Sequence, residues 1–321
     1  MENTSPKVLV TRKLPAMVEN RLRSTYDVSL NTTDQAMSKA ALSAAMSKFD
    51  ALVSTVSDPL DAKVLQSSNR RVQFIANVGV GYSNIDTKTA CDEGIGVSNT
   101  PDVLTDATAD IALLLILSAT RRAYAAELKL REGRWEGFSL IEGLGSSMQG
   151  KVIGIIGMGR IGQATARRAI FALGMKVVFY NRSPIAGLDF EATRLGTIDE
   201  LMALADVVSI HVPGSGSSPT VNANHIALLK PTSYLINTAR GDSIDQAALI
   251  AALTEGRIAG AGLDVYVNEP DVPDELLMLD NVTLLPHIGS ATEEVRTAMG
   301  MVAVNNLDAF FSNSPLPNKV V

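Results

Sequence analysis

The sequence contains few of the residues that stabilise small secreted folds or build metal centres. Its 321 residues include one cysteine, one tryptophan and three histidines. A single cysteine excludes an intrachain disulfide, and the spacing of Cys91, His211, His225 and His287 matches no zinc pattern, so we expect no metal site. An enzyme of this sequence that used histidine for proton transfer near neutral pH would have only three candidates.

Charged residues and long apolar runs are also scarce. Charged residues make up 19 % of the chain and the net charge is −6, which disfavours nucleic acids and anionic membranes as partners. The most apolar run, residues 111–117, is far shorter than the ~20 residues of a membrane-spanning helix. Residues 1–6 are polar and lack the apolar core of a signal peptide. We therefore expect a cytoplasmic protein, and at roughly 150 residues per domain its length predicts two domains.

Short apolar runs alternate with helix-like stretches along the chain, a pattern typical of parallel βαβ units. Helices are predicted at residues 35–49, 106–122, 161–173 and 293–311. Strands are predicted at residues 7–11, 26–30, 51–55, 72–78, 151–156, 176–180, 207–211, 233–237, 259–265 and 282–285. The two series predict an α/β protein with two doubly wound parallel sheets. We expect one domain to comprise residues 1–100 and 290–321, closed by the last helix, and the other residues 101–289.

A glycine motif follows the strand predicted at residues 151–156 and opens the next helix. Gly157 permits a tight turn, Gly159 lets the backbone approach a pyrophosphate, and Gly162 lets helix and strand pack closely. Arg160 and Ile161 lie within the same turn. The free N–H groups and the dipole of a helix N-terminus favour an anion there, so the motif predicts a dinucleotide site.

The acidic residue expected about 20 residues later, which would bind a ribose 2′-hydroxyl, is missing. The next predicted strand ends instead in Asn181, Arg182 and Ser183. Without a carboxylate nothing repels a 2′-phosphate, and Arg182 could pair with it. The sequence therefore predicts a preference for NADP(H), with use of NAD(H) left open. The alternative is that Arg182 is a solvated loop residue.

Three further segments each place a titratable or charged side chain just beyond a predicted strand. Residues 235–242 contain Arg240, residues 262–270 contain Glu269, and residues 285–292 contain His287. Ligands of open α/β sheets bind at the carboxyl ends of the strands, so these three are the candidate catalytic residues. Taken singly, each has an ordinary explanation as a surface ion pair, a loop acid or a structural histidine.

Together with the glycine motif, the ARG, LDVxxxEP and LPHxGSAT sequences of these segments resemble the D-2-hydroxyacid dehydrogenase family. The resemblance is closest to its short glyoxylate/hydroxypyruvate reductases and is weakest before about residue 74. It implies a flavodoxin-like substrate domain, a Rossmann cofactor domain and a homodimer. It also implies NADPH-dependent reduction of a small 2-oxo acid to the D-2-hydroxy acid.

The roles of this family transfer to matching positions. Arg240 would bind the carboxylate and carbonyl of the substrate, and His287 would protonate the carbonyl oxygen. Glu269 would hold the imidazole and favour its charged form. The backbone N–H groups of Val78 and Gly79 would hold the substrate carboxylate.

The resemblance also implies further contacts around the cofactor. Thr238 and Ala239 would flank the nicotinamide, and Asp264 would bond its carboxamide. The remaining cofactor positions are Thr105, His211, Val212, Pro213, Arg240, His287 and Gly289.

Four residues of the scarce types, tryptophan, histidine and cysteine, lie outside this set or at its edge. Trp135 lies where relatives form a dimer through a protrusion, so it would contact substrate across the dimer or serve only interface or core packing. His211 is expected to be mainly structural and His225 to be a surface residue. Cys91 is expected in the core.

Two alternatives to this function remain. The first is a reductase of bulkier 2-oxo acids such as phenylpyruvate, because pocket size is not readable from the sequence. The second is a cofactor-sensing binding protein on the same fold, similar to the family's transcriptional corepressors, which keep much of the catalytic set.

Overall fold

A computed structural model describes residues 5–214 and 218–321 and separates the chain into two compact units. The first unit comprises Met1–Leu104 and Ser290–Val321, and the second comprises Thr105–Gly289. The first unit thus runs to Leu104 instead of the predicted residue 100. The reason is local, because a long helix begins at Thr105 and lies wholly in the second unit.

The first unit is a parallel sheet covered by helices. Its strands are β1 (Lys7–Val10), β2 (Asp27–Leu30), β3 (Ala51–Thr55), β4 (Phe74–Val78) and β5 (Gly96–Ser98). Its helices are α1 (Ala16–Arg23), α2 (Lys39–Met46), α3 (Ala62–Leu65), α4 (Thr87–Asp92) and α12 (Glu293–Phe311). The strands lie in the order β2-β1-β3-β4-β5, which is the flavodoxin-like order.

Neighbouring residues of β4 point to opposite faces of this sheet. Ile75 packs into a core with Leu42 of α2 and Val64 of α3. Phe74 stacks on Phe310 of α12, with the ring centroids 4.6 Å apart. The last helix therefore packs in the first unit, as the sequence predicted.

The second unit contains the longer sheet. Its strands are β6 (Val152–Ile156), β7 (Lys176–Tyr180), β8 (Thr193–Arg194), β9 (Val207–Ile210), β10 (Tyr234–Asn237), β11 (Gly260–Leu263) and β12 (Val282–Leu284). Its helices are α5 (Thr105–Thr120), α6 (Ala123–Arg131), α7 (Arg160–Leu173), α8 (Ile198–Leu204), α9 (Ala223–Ala227), α10 (Gln246–Thr254) and α11 (Asp274–Leu277), with a 3₁₀ turn at Gly241–Ser243.

All strands of the second sheet are parallel, in the order β12-β11-β10-β9-β6-β7-β8. Counted from β6, this is the Rossmann order 3-2-1-4-5-6 with a seventh strand added. Val207 and Val208 enter different cores on the two faces, as do Leu235 and Ile236. The strand order reverses between β6 and β9, which is where ligands of such sheets bind.

The sequence did not predict every element. The short edge strands β5 and β8 are absent from the prediction, as are the helices α3, α6, α8, α10 and α11. Cys91 is exposed on α4, so its predicted core position was wrong. Across the two described ranges, no helix is long and apolar enough to cross a membrane.

Candidate active site

The glycine turn joins β6 to α7 with almost no free space. Gly157 has φ +95°, a conformation that disfavours other residues, and a Cβ there would lie 2.6 Å from the His211 carbonyl oxygen. A Cβ on Gly162 would lie 2.2 Å from the Gly157 carbonyl oxygen. Gly157 therefore lies against His211 and Val212, which follow β9.

Gly159 differs from its two neighbours because its surroundings are open. It is the residue before α7, and a Cβ built on it meets no described atom within 4 Å. The space beside Gly159 at the start of α7 is therefore open, and the contact of this turn with a pyrophosphate stays a prediction.

Asn181 links the glycine turn to the end of β7. Its Oδ1 accepts a hydrogen bond from the Met158 N–H at 3.1 Å, and its Nδ2 donates to the Ser183 carbonyl at 2.8 Å. Arg182 and Ser183 are exposed, and Arg182 forms no ion pair with any described residue. The position expected for an acid is thus occupied by the neutral Asn181, which is followed by the exposed Arg182.

The strand end that carries Arg240 is shaped by Asn237. This buried amide donates from Nδ2 to the Arg240 carbonyl at 2.8 Å, and its Oδ1 accepts from the Ala239 N–H at 2.9 Å. A Cβ on the next residue, Gly241, would lie 2.0 Å from the carbonyl carbon of Tyr266. This close backbone approach joins the Arg240 turn to the loop that carries Glu269.

Glu269 and His287 are in direct contact. Glu269 Oε2 lies 2.6 Å from His287 Nδ1, and Glu269 Oε1 accepts from the Tyr266 N–H at 3.0 Å. The two side chains are about one-third exposed, at 33 % and 32 %. With Nδ1 bound to the carboxylate, the other imidazole nitrogen, Nε2, is left for a ligand.

Burial and neighbouring charges shift the pKa values of Glu269 and Arg240. Burial raises the pKa of Glu269, but hydrogen bonds from His287 and Tyr266 and the charge of Arg240 bring it below its ordinary value. Burial lowers the pKa of the Arg240 guanidinium against the opposing charges of Glu269 and Asp242. Glu269 is therefore an anion at neutral pH, bound to the imidazole of His287 and stabilised by the charge of Arg240.

Asp264 fixes the backbone next to His287. The buried carboxylate accepts from the Ile288 N–H at 2.7 Å through Oδ1 and from the Gly289 N–H at 2.8 Å through Oδ2. Thr108 of α5 donates to the Gly289 carbonyl at 3.1 Å. His287 itself has φ +54°, which is uncommon for a residue with a side chain.

This clamp was not predicted. The sequence assigned Asp264 to a nicotinamide carboxamide, and that contact stays a prediction. Asn237, Tyr266 and Thr108 were missed as well, because their contacts join residues far apart in the chain.

Thr238 offers a test of whether the site fits a cofactor. Its Oγ1 is buried and has no hydrogen-bond partner among the described residues. An unpaired buried hydroxyl is costly unless a ligand or water satisfies it. Thr238 lies between Asn237 and Ala239 at the end of β10, where the nicotinamide was predicted. Its unpaired hydroxyl therefore fits a nicotinamide bound there.

The other predicted residues have different environments. The half-buried His211 has Nε2 2.8 Å from Ser209 Oγ, and burial lowers its pKa to about 3, so it is neutral. His225 is half-buried and caps α9 with Asn222, which corrects its predicted surface position. Trp135 is 61 % exposed in the second unit, so core packing was wrong for it.

Four predicted contacts remain untested by the geometry. Thr105 begins α5, and Arg160 begins α7 on an exposed face. Val78 and Gly79 lie in the first unit, where the Gly79 N–H donates to Thr100 Oγ1 at 3.0 Å. A substrate carboxylate on the Gly79 N–H would have to replace that bond.

Comparison with known proteins shows the family to which this chain belongs. A sequence model described as "D-isomer specific 2-hydroxyacid dehydrogenase, NAD binding domain" matches residues 113–289. The chain is 41 % identical to a glyoxylate reductase of Thermococcus litoralis over 98 % of this chain and 96 % of that protein. It is 42 % identical to the 4-methyl-2-oxopentanoate reductase A of Aspergillus oryzae over 78 % of this chain and 75 % of that protein.

Solved structures agree with the sequence comparisons. The NADPH-dependent glyoxylate/hydroxypyruvate reductase of Sinorhizobium meliloti, in complex with NADP and malonate, superposes with a TM-score of 0.87 at 37 % identity. The alignment covers 99 % of this chain and 97 % of that one. The chain therefore belongs to the D-isomer-specific 2-hydroxyacid dehydrogenase family, oxidoreductases that reduce 2-oxo acids with a nicotinamide cofactor.

Proposed function

We propose that this enzyme reduces a small 2-oxo acid of the glyoxylate or hydroxypyruvate type to the D-2-hydroxy acid, with NADPH as the reductant. The observation that carries the proposal is the Glu269–His287 pair, 2.6 Å apart, with the charge of Arg240 acting on it. Such a set supplies a proton donor, a charge that stabilises that donor, and a planar cation for a carboxylate.

The chain's own residues would perform the following steps. Arg240 binds the carboxylate and the carbonyl oxygen of the substrate through its guanidinium fork, which orients the carbonyl carbon. When bound, the reduced nicotinamide supplies the hydride. His287 donates the proton on Nε2 to the carbonyl oxygen, so that no free alkoxide is left. Glu269 stays ionised and stabilises the imidazolium until the proton leaves.

Asp264 and Thr108 hold the peptide that follows His287, and so act as positioning residues. The Asp264 bonds to Ile288 and Gly289 fix the backbone from which the imidazole projects. Gly157, Gly159 and Gly162 would hold the pyrophosphate, and Thr238 and Ala239 would border the nicotinamide.

The preference for NADPH is supported by the end of β7. Asn181 is neutral and engaged with Met158 and Ser183, so no carboxylate there repels a 2′-phosphate. The exposed Arg182 supplies a cation at the same turn. The Sinorhizobium enzyme, which binds NADP, shares this fold.

A second candidate is reduction of a bulkier, branched 2-oxo acid. The identity to the Aspergillus 4-methyl-2-oxopentanoate reductase favours it, since the name of that enzyme specifies such a substrate.

A panel of 2-oxo acids tests both candidates. Initial rates would be measured with glyoxylate, hydroxypyruvate, 4-methyl-2-oxopentanoate and phenylpyruvate, each with NADPH and with NADH. We expect the highest kcat/KM for hydroxypyruvate or glyoxylate with NADPH. A higher value for 4-methyl-2-oxopentanoate or phenylpyruvate would favour the second candidate. Tight cofactor binding without turnover of any acid would favour a sensor protein.

We also propose a homodimer formed through the segment of residues 135–144, called here the apolar arm. Its exposed side chains include Trp135, Phe138, Leu140, Ile141 and Leu144. Several exposed large apolar side chains within one short segment are typical of a protein–protein interface. The proposed contact of Trp135 with the substrate in a partner subunit requires this dimer.

A further inference from the structure

The edge strand β8 brings a second arginine to the turn that follows β7. Arg194 lies opposite Phe179 in the parallel register of β7 and β8. Its Nη2 donates a hydrogen bond to the Asn181 carbonyl at 3.0 Å. The guanidinium of Arg194 is therefore held at the residue that precedes Arg182, on the strand neighbouring the turn.

Neither of these arginines is neutralised by the described part of the chain. Arg194 is exposed, forms no ion pair there, and has no other hydrogen bond to a described residue. Asp189, on the segment between β7 and β8, is paired with Arg167 instead. A guanidinium has five N–H donors, so the single bond to Asn181 leaves four for a ligand.

The ligand that suits this arrangement is a phosphate monoester. It carries about 1.5 to 2 negative charges at neutral pH and three strong acceptor oxygens, more than one guanidinium can satisfy. We propose that Arg194, together with Arg182, binds the 2′-phosphate of NADP(H) and is a determinant of cofactor choice. The inference rests on the proposed preference for NADP(H). It adds a residue on β8, which lies outside both the glycine motif and the turn after β7.

A purely structural role for Arg194 makes a different prediction. If the bond to Asn181 only stabilises the turn, its loss would weaken the binding of NADP⁺ and NAD⁺ alike, because both contain the adenosine. If Arg194 contacts the 2′-phosphate, its loss would weaken NADP⁺ alone.

Calorimetric titration separates these cases without relying on turnover. Dissociation constants for NADP⁺ and NAD⁺ would be measured for the wild type, Arg182→Ala, Arg194→Ala and Arg194→Lys. The matched control is Arg257→Ala, an exposed arginine paired with Glu255 before the start of β11. We expect Arg194→Ala to weaken NADP⁺ about 10-fold while NAD⁺ stays within about twofold, the size of one charge-assisted bond. Arg194→Lys should recover part of the loss, and the control should change neither constant.

The possible failures are distinguishable. A wild type that binds NAD⁺ at least as tightly as NADP⁺ would overturn the proposed cofactor preference and this inference with it. A wild type that prefers NADP⁺, with a selective loss in Arg182→Ala but none in Arg194→Ala, would overturn the inference alone. An equal loss of both cofactors in Arg194→Ala would also overturn it, in favour of the structural role.

Discussion

Glu269 holds two donors at once, one on each carboxylate oxygen. Oε2 faces His287 Nδ1 and Oε1 accepts from the Tyr266 N–H. A glutamine has only one acceptor oxygen, so it can satisfy one of these donors and carries no charge to stabilise an imidazolium. The charge and the second acceptor are therefore what distinguish glutamate from glutamine at this position.

We predict that Glu269→Gln lowers kcat for hydroxypyruvate about 10- to 100-fold. The neutral amide provides no charge to stabilise the imidazolium that donates the proton, and steady-state kinetics measure the loss of kcat. The control is Glu255→Gln, which removes an exposed ion pair. A wild-type kcat in Glu269→Gln would contradict the role assigned to the carboxylate.

The same carboxylate gives a pH dependence of stability. The pKa of Glu269 in the folded chain is below its ordinary value near 4.5, so the unfolded chain binds the proton more tightly. Ionised Glu269 therefore contributes stability above that ordinary value, and the contribution is lost as the pH falls through the lowered folded-state pKa. We expect the Tm difference between wild type and Glu269→Gln to narrow as the pH falls below about 4.5.

At the scale of elements, the loop after β12 depends on β11 and α5. Asp264, just after β11, binds two successive N–H groups beyond His287, and Thr108 of α5 binds the Gly289 carbonyl. The unusual φ of His287 persists because these contacts over-determine the loop.

We predict that Asp264→Asn destabilises the protein by about 1–3 kcal/mol, because its amide would face a buried N–H with a donor instead of an acceptor. The released loop should also lower kcat while NADP⁺ affinity changes less. Thermal unfolding and steady-state kinetics check the two effects. Asp280→Asn, at an exposed pair with Arg122, should change the Tm little. A Tm and a kcat equal to those of the wild type in Asp264→Asn would contradict the proposed role of Asp264 in holding this loop.

The elements also show where prediction from sequence ends. Buried strands such as β3 and β7 were predicted because their apolar runs are continuous, and α12 because its length and pattern are clear. The short edge strand β8 carries no such signal, and with it Arg194 was missed. Arg240, Glu269 and His287 were found as candidates from motifs, but the Asp264 clamp depends on contacts that only the fold creates.

At the scale of the whole molecule, the proposed dimer contact of the exposed apolar arm can be tested by sedimentation. We predict that the wild type sediments at twice the 34.0 kDa mass of one chain, and that Phe138→Asp with Ile141→Asp sediments as one chain. Both side chains are highly exposed, so the substitutions leave each core intact. Met278→Asp, at an exposed apolar residue outside the arm, should remain a dimer. A monomeric wild type would contradict the proposal.

The central claim is that His287 donates the proton in an NADPH-dependent reduction of a small 2-oxo acid. The most direct measurement is the rate of hydroxypyruvate reduction by NADPH in wild type and in His287→Asn, with NADP⁺ affinity measured in parallel. We predict wild-type turnover to D-glycerate, and a kcat about 1000-fold lower in His287→Asn with NADP⁺ affinity within about threefold. Turnover by His287→Asn at a rate close to that of the wild type would contradict the account.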